Sequence, residues 1–279
     1  MRKFVLPVAI GLAATIPAIK PIQAHGPLFS PAPETIFKGG TELTLGLHTE
    51  EATGISEHET EYDVSLEAEY GLTADWEVGA EIPYTKRDLD GGGGADGLGD
   101  IVLETKYQFW GRDLPGAQYK AAAFLQLELP TGDDDSTPRL GSGSTDVITG
   151  LATGYESRRW YWFASGVYRA NTEGAGGLEK GDRQFLNVVG GIRPILTEYD
   201  EPDTVLMLEV NWERSARDEL DGSDLANTGG WELFVSPVVW WTYRQLAIRG
   251  GVQIPIADGL NGTQPTSDYR ARIEFVYHF

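Results

Sequence analysis

The last eleven residues, Tyr269-Arg270-Ala271-Arg272-Ile273-Glu274-Phe275-Val276-Tyr277-His278-Phe279, decide the fold. Tyr269, Ala271, Ile273, Phe275, Tyr277 and Phe279 alternate with Arg270, Arg272, Glu274 and His278. Successive side chains of a strand point to opposite faces, so this is a strand with one apolar, aromatic face and one charged face.

The same period recurs upstream. Tyr62, Val64, Leu66, Ala68 and Tyr70 alternate with Asp63, Ser65, Glu67 and Glu69, and Trp76, Val78, Ala80 and Ile82 with Glu77, Gly79 and Glu81. Ile101, Leu103, Thr105, Tyr107 and Phe109 alternate with Val102, Glu104, Lys106 and Gln108. Further segments start near Thr41, Gln118, Thr145, Trp160, Gln184, Asp203, Trp231 and Leu246, which makes twelve strands with the last. Most are about 9–13 residues, the length a tilted strand needs to cross a bilayer.

The connections alternate long and short. Residues 49–59, 85–99, 131–144, 171–183, 214–229 and 257–267 are long and rich in Gly, Asp, Ser and Thr. Gly71–Asp75 and Ser157–Arg159 are tight, with 111–117 and 196–202 somewhat longer. Short periplasmic turns and long external loops are the asymmetry of outer-membrane barrels. Ile82-Pro83, Leu129-Pro130 and Ile254-Pro255 mark strand ends, because proline removes a ladder hydrogen bond. A soluble sheet with one wet face alternates in the same way. Three features favour the membrane: aromatics gathered at strand ends (Tyr70, Trp76, Tyr84, Phe109, Trp110, Trp160, Trp162, Trp241, Tyr277), strands longer than those of sandwiches, and a terminal Phe279 that resembles the signal read by the outer-membrane assembly machinery. The fold expected is all-β, a transmembrane antiparallel up-and-down barrel of about twelve strands.

Composition narrows the function. The 279 residues carry 42 acidic and 22 basic side chains, a formal net charge of −20, and no cysteine. Nucleic-acid binding lacks its basic patch, and disulfides, thiolate metal sites and thiol nucleophiles are excluded. Residues 1–24 have a basic start at Arg2 and Lys3, an apolar run from Phe4 to Ile19 and a small residue at Ala24, the layout of a secretory signal. Residues 25–39 then form a periplasmic N-terminal segment and 40–279 the barrel, in the outer membrane of a Gram-negative bacterium.

If the apolar parity faces lipid, Glu42, Asp63, Glu67, Glu69, Glu77 and Glu81 face inward from the early strands and Arg249, Arg270 and Arg272 from the last two. Closure sets the basic arc beside the acidic one, a transverse field that orients polar solutes. Twelve strands imply a backbone radius of roughly 12 Å, which admits either a narrow pore or an interior filled by side chains. The candidate lumen-lining residues are Glu67, Glu69, Glu77, Glu81, Arg249, Arg270 and Arg272.

Other motifs carry less. Gly92, Gly94 and Gly97 satisfy GxGxxG, and the tract 91–96 fits one copy of a calcium nonapeptide core, but a lone copy in a β-protein reads as a flexible loop. Asp133, Asp134 and Asp135 read as a solvated turn. Histidine is confined to His25, His48, His58 and His278, and no spacing pairs one with a serine for hydrolysis, so an enzyme is not expected. Cleavage after Ala24 would expose the amine and imidazole of His25, a candidate metal chelate. No cofactor is expected.

The stretch Gly97-Leu98-Gly99-Asp100 with the strand Ile101–Tyr107, followed by Leu129-Pro130-Thr131-Gly132 and Gly141-Ser142-Gly143-Ser144-Thr145-Asp146, resembles the outer-membrane family named for the meta-pathway of phenol degradation. The likeness extends through Trp231–Trp241 and the terminal strand. It implies an outer-membrane barrel that acts as a transporter or channel, and it implies no catalytic residues. The reading is a passive channel for small solutes through a narrow charged lumen, with membrane lipid and the assembly machinery as partners. Two alternatives stay open: a closed barrel that binds metal ions or a partner at its acidic loops, and a transporter of hydrophobic or aromatic compounds, for which Phe124, Phe234 and Trp240 have inward parity.

Overall fold

The computed structural model describes residues 26–54, 58–89, 93–198 and 200–279. Its strands are β1 (Thr41–Thr53), β2 (His58–Gly71), β3 (Trp76–Leu89), β4 (Ile101–Leu114), β5 (Ala117–Leu129) and β6 (Asp146–Ser157), then β7 (Trp160–Ala170), β8 (Arg183–Ile192), β9 (Asp203–Ser215), β10 (Gly230–Tyr243), β11 (Leu246–Asp258) and β12 (Thr266–His278). Each pairs antiparallel with its chain neighbours, and β12 returns to β1 with Tyr277 opposite Leu43 and Arg270 opposite Glu50. Closure gives each of the twelve strands a partner on both sides.

The alternation of the sequence becomes two surfaces. Leu66, Ile82, Leu103, Leu151, Leu186, Val188 and Leu208 are exposed outward in a continuous apolar belt. Trp76, Phe109, Trp110, Trp160 and Phe279 rim it at the turn end, and Tyr62, Tyr84 and Tyr168 at the loop end. A belt of this extent is stable against hydrocarbon and not in water. The chain is therefore a twelve-stranded outer-membrane barrel, with its short turns and both ends of the barrel chain at one rim and its long loops at the other.

Three connections differ from expectation, and in the first, 49–59, most of the span is strand, because β1 runs to Thr53 and β2 starts at His58. The span 111–117 closes as a two-residue turn, because β4 runs to Leu114 and β5 starts at Ala117, with Gly116 at φ 76°. The glycine tract is not all loop: Gly93–Leu98 pairs with the upper half of β3, while β4 pairs with its lower half, Trp76–Glu81. Both alternate well enough to extend the ladder, and the chain steps between them at Gly99 and Asp100. Residues 90–92 lie outside the described residues, as do the signal segment and His25.

The N-terminal segment occupies the barrel's interior. Leu28 is buried with Phe163, Val189, Val205, Met207, Val238 and Trp240 on the inner wall of β7–β10, and Phe29 packs against the same cluster. Burying Leu28 contributes roughly 2 kcal/mol. Glu209 on β9 anchors the backbone here, its Oε1 accepting from the N–H of Leu28 at 2.6 Å and of Phe29 at 3.3 Å and its Oε2 from Ser30 Oγ at 2.7 Å. Farther along, Glu77 Oε2 accepts from the Ile36 N–H at 2.6 Å. The segment leaves across the end of β2, where the Gly39 N–H donates to the Gly71 carbonyl at 2.7 Å. A Cβ at Gly71 would stand 2.2 Å from the Phe37 carbonyl oxygen, so only glycine lets the segment cross.

Candidate solute pathway

Two cavities are stacked inside the barrel. The outer one, about 720 Å³, lies on the loop side, walled by β1–β5, β7, β8 and β12 and by the connection 130–145 folded over it. The inner one, about 270 Å³, lies on the turn side against the N-terminal segment. Glu81 and Arg272 line both and mark the waist between them.

The connection over the outer cavity is held by Asp100. Its Oδ1 accepts from the N–H of Thr131 at 3.0 Å and of Gly132 at 2.8 Å, and its Oδ2 from the N–H and Oγ of Ser142, both at 2.7 Å. Asp146 accepts from Ser144 Oγ at 3.0 Å, the Thr172 N–H at 3.0 Å and the Arg169 guanidinium at 2.8 Å. The three sequence motifs Gly97–Asp100, Leu129–Gly132 and Gly141–Asp146 thus meet in one knot. Gly132 sits where a Cβ would be 2.8 Å from Gly141 Cα, which explains the glycines. Asp133 accepts from the Asp135 N–H at 3.1 Å, so the triple-aspartate run folds as a turn.

The inner cavity is acidic. Seven wall glutamates line it, against Lys106, Arg249, Arg272 and His278. The Lys106 ammonium lies 2.6 Å from Glu77 and 3.8 Å from Glu104, and the carboxylates of Glu69, Glu77 and Glu104 come within 4.8 Å of one another. Arg249 and Arg272 both pair with Glu274 on their own side of the barrel, and His278 pairs with Glu42 at 2.9 Å. Glu67, Glu69 and Glu81 form no ion pair among the described residues.

Of the residues singled out by parity, Glu67, Glu69, Glu77, Glu81, Arg249 and Arg272 line the inner cavity. Arg270 also faces inward, but it is enclosed by Glu50 at 3.0 Å, Glu213 at 2.8 Å and the Phe234 ring, and it borders neither cavity. The basic arc is largely answered by carboxylates beside it, so the charge asymmetry runs along the barrel axis instead of across it. Parity already placed Lys106 inward. Nothing in the sequence pointed to Glu209 as an anchor or to Lys180, which reaches the outer cavity from a connection with no periodicity. Phe234 and Trp240 are buried inside, but their rings are covered by Arg270 and Arg249, at 4.6 Å and 5.0 Å from the guanidinium carbons.

A family model described as "Putative MetA-pathway of phenol degradation" matches residues 63–260. Among solved structures, an outer membrane channel from Pseudomonas putida F1 aligns over 91% of this chain and 100% of its own, with a TM-score of 0.71 at 14% identity. The beta domain of the Bordetella autotransporter BrkA aligns over 86% of this chain and 99% of its own, with a TM-score of 0.53 at 12% identity. No curated protein sequence matches the chain.

Proposed function

The chain belongs to the family described by the meta-pathway of phenol degradation, and we propose that it is a passive outer-membrane channel for small polar solutes. The observation that carries this reading is the pair of cavities in line along the axis of a closed barrel, meeting at Glu81 and Arg272. Both are bordered by ionised side chains, the lining that lets water and polar solutes replace their bulk hydration. The inward apolar wall of β7–β10 is spent on seating Leu28 and Phe29, which argues for polar over hydrophobic cargo. Catalysis has no part in this reading. Phe279, exposed at the end of β12 with its N–H donating to the Thr41 carbonyl at 2.8 Å, serves in it as the assembly signal.

Planar-bilayer recording of the refolded mature chain in a potassium chloride gradient tests the proposal. Stepwise conductance with a defined reversal potential is the expected result. Electrical silence, with folding shown by heat-modifiable gel mobility, would replace the channel with a closed barrel.

A further inference from the structure

Cations are gathered along the outer cavity in a chain of net charge −20. Six cations line it, Arg87, Arg139, Arg169, Lys180, Arg183 and Arg272, against the carboxylates Asp63, Glu81, Asp100 and Glu128. Most of these charges are already answered: Asp100 in the knot, Asp63 by His48 at 3.1 Å and Thr85 at 2.5 Å, Arg169 by Glu128 and Asp146 at 2.8 Å, Arg87 by Glu61, Arg183 by Glu213 at 2.9 Å and Arg272 by Glu274 at 2.9 Å. Lys180 has no carboxylate partner among the described residues. Burial, then the guanidiniums of Arg87, Arg169 and Arg183, hold its pKa below the usual lysine value. An ammonium facing like charges is relieved by an anion.

Glu81, Glu67 and Glu69 present the opposite case. They line the waist and the inner cavity, carry no ion pair among the described residues, and are relieved by a cation. A net anion gains at Lys180 and is repelled by the inner cavity, and a net cation meets the reverse. Only a solute with both charges gains at both places, and Lys180 and Glu81 border the same 720 Å³ cavity, so a small molecule crossing it passes both.

We propose that the channel selects small zwitterions, taking the carboxylate at Lys180 and the ammonium at Glu81 above the acidic inner chamber. This rests on the channel reading. It is an electrostatic preference in transit and requires no tight binding.

The test measures uptake of isotope-labelled alanine, lactate and alaninamide into liposomes that carry the channel, with equal potassium chloride on both sides to clamp the potential. The three are nearly matched in size and differ in charge. Alanine is expected to enter about tenfold faster than either. Lys180→Glu is expected to lower the alanine rate towards that of alaninamide, with heat-modifiable mobility showing that the barrel folds. Lactate or alaninamide entering as fast as alanine, in liposomes that conduct potassium chloride, overturns the zwitterion proposal and leaves the channel intact. Absence of any conductance overturns the channel reading and this proposal with it.

Discussion

Asp100 and Ser142 lie 42 positions apart and are joined twice, the backbone N–H and the hydroxyl of Ser142 both donating to Asp100 Oδ2 at 2.7 Å. The other oxygen of Asp100 holds Thr131 and Gly132, so one carboxylate folds the connection 130–145 over the outer cavity. Hydrogen bonds to an ionised acceptor are worth about 1.5–3 kcal/mol each.

Asp100→Ala is therefore expected to cost on the order of 3 kcal/mol and to free this connection. The check is limited proteolysis of the reconstituted protein: cleavage between residues 130 and 145 should appear at protease levels that leave the parent whole. Unchanged resistance would show that the glycine packing holds the connection without the carboxylate.

Glu209 binds three donors of the N-terminal segment, and Gly71 gives the segment its way out over the rim. Glu209→Ala and Gly71→Val attack these two ends independently. Each should unseat the segment and raise single-channel conductance, as should deletion of residues 26–40. If the deletion alone raises conductance, the anchor is the buried Leu28 and not the carboxylate.

Glu34 belongs to the N-terminal segment, outside the strands, and both of its oxygens are buried with no hydrogen-bond partner among the described residues. Burial first, and then the Glu156 charge, push its pKa up to about 8, against an opposing pull from Lys120 and Lys106. The sign follows: a carboxyl raised above its unfolded value of 4.5 favours the seated segment most at low pH, and that contribution is lost as pH rises through about 8. Conductance should therefore climb from about pH 4.5 to about pH 8 and level off above. Glu34→Gln should flatten the climb, and a variant that keeps the parent's pH response would assign it to another group.

Arg270 and Arg272 stand two residues apart on the same face of β12 and are expected to behave differently. Arg272 borders both cavities, so Arg272→Gln should move the reversal potential toward cation selectivity. Arg270 is shut in by Glu50 and Glu213. Arg270→Gln should leave selectivity nearly unchanged and lower stability by about 3 kcal/mol, because it strands interior carboxylates. Reversal potentials and urea unfolding of the two variants separate the outcomes.

The barrel was legible because lipid on one side and water on the other impose a period of two on every strand. Tyr62 to Tyr70 show it from residue types alone, and the structure carries them outward as that alternation requires. The same parity told which way Glu67, Glu81, Lys106 and Arg272 face. It could not say which of them meet solvent and which meet each other. That depends on neighbours brought together by closure: Arg270 faces Glu50 because β12 pairs with β1, and Glu213 comes from β9.

Two features belong to the tertiary structure alone. Residues 26–40 have no periodicity, and their place in the lumen follows from an apolar inner wall built by the four strands β7–β10 and from the inward carboxylate of Glu209, which are brought together only when the barrel closes. Lys180 likewise owes its role to Arg87, Arg169 and Arg183, drawn around it by three separate strands. The sequence by itself determined the strands, their facing and the membrane, because those follow from local alternation. The plug and the axial charge asymmetry were decided only in three dimensions, because each is a sum over residues far apart in the chain.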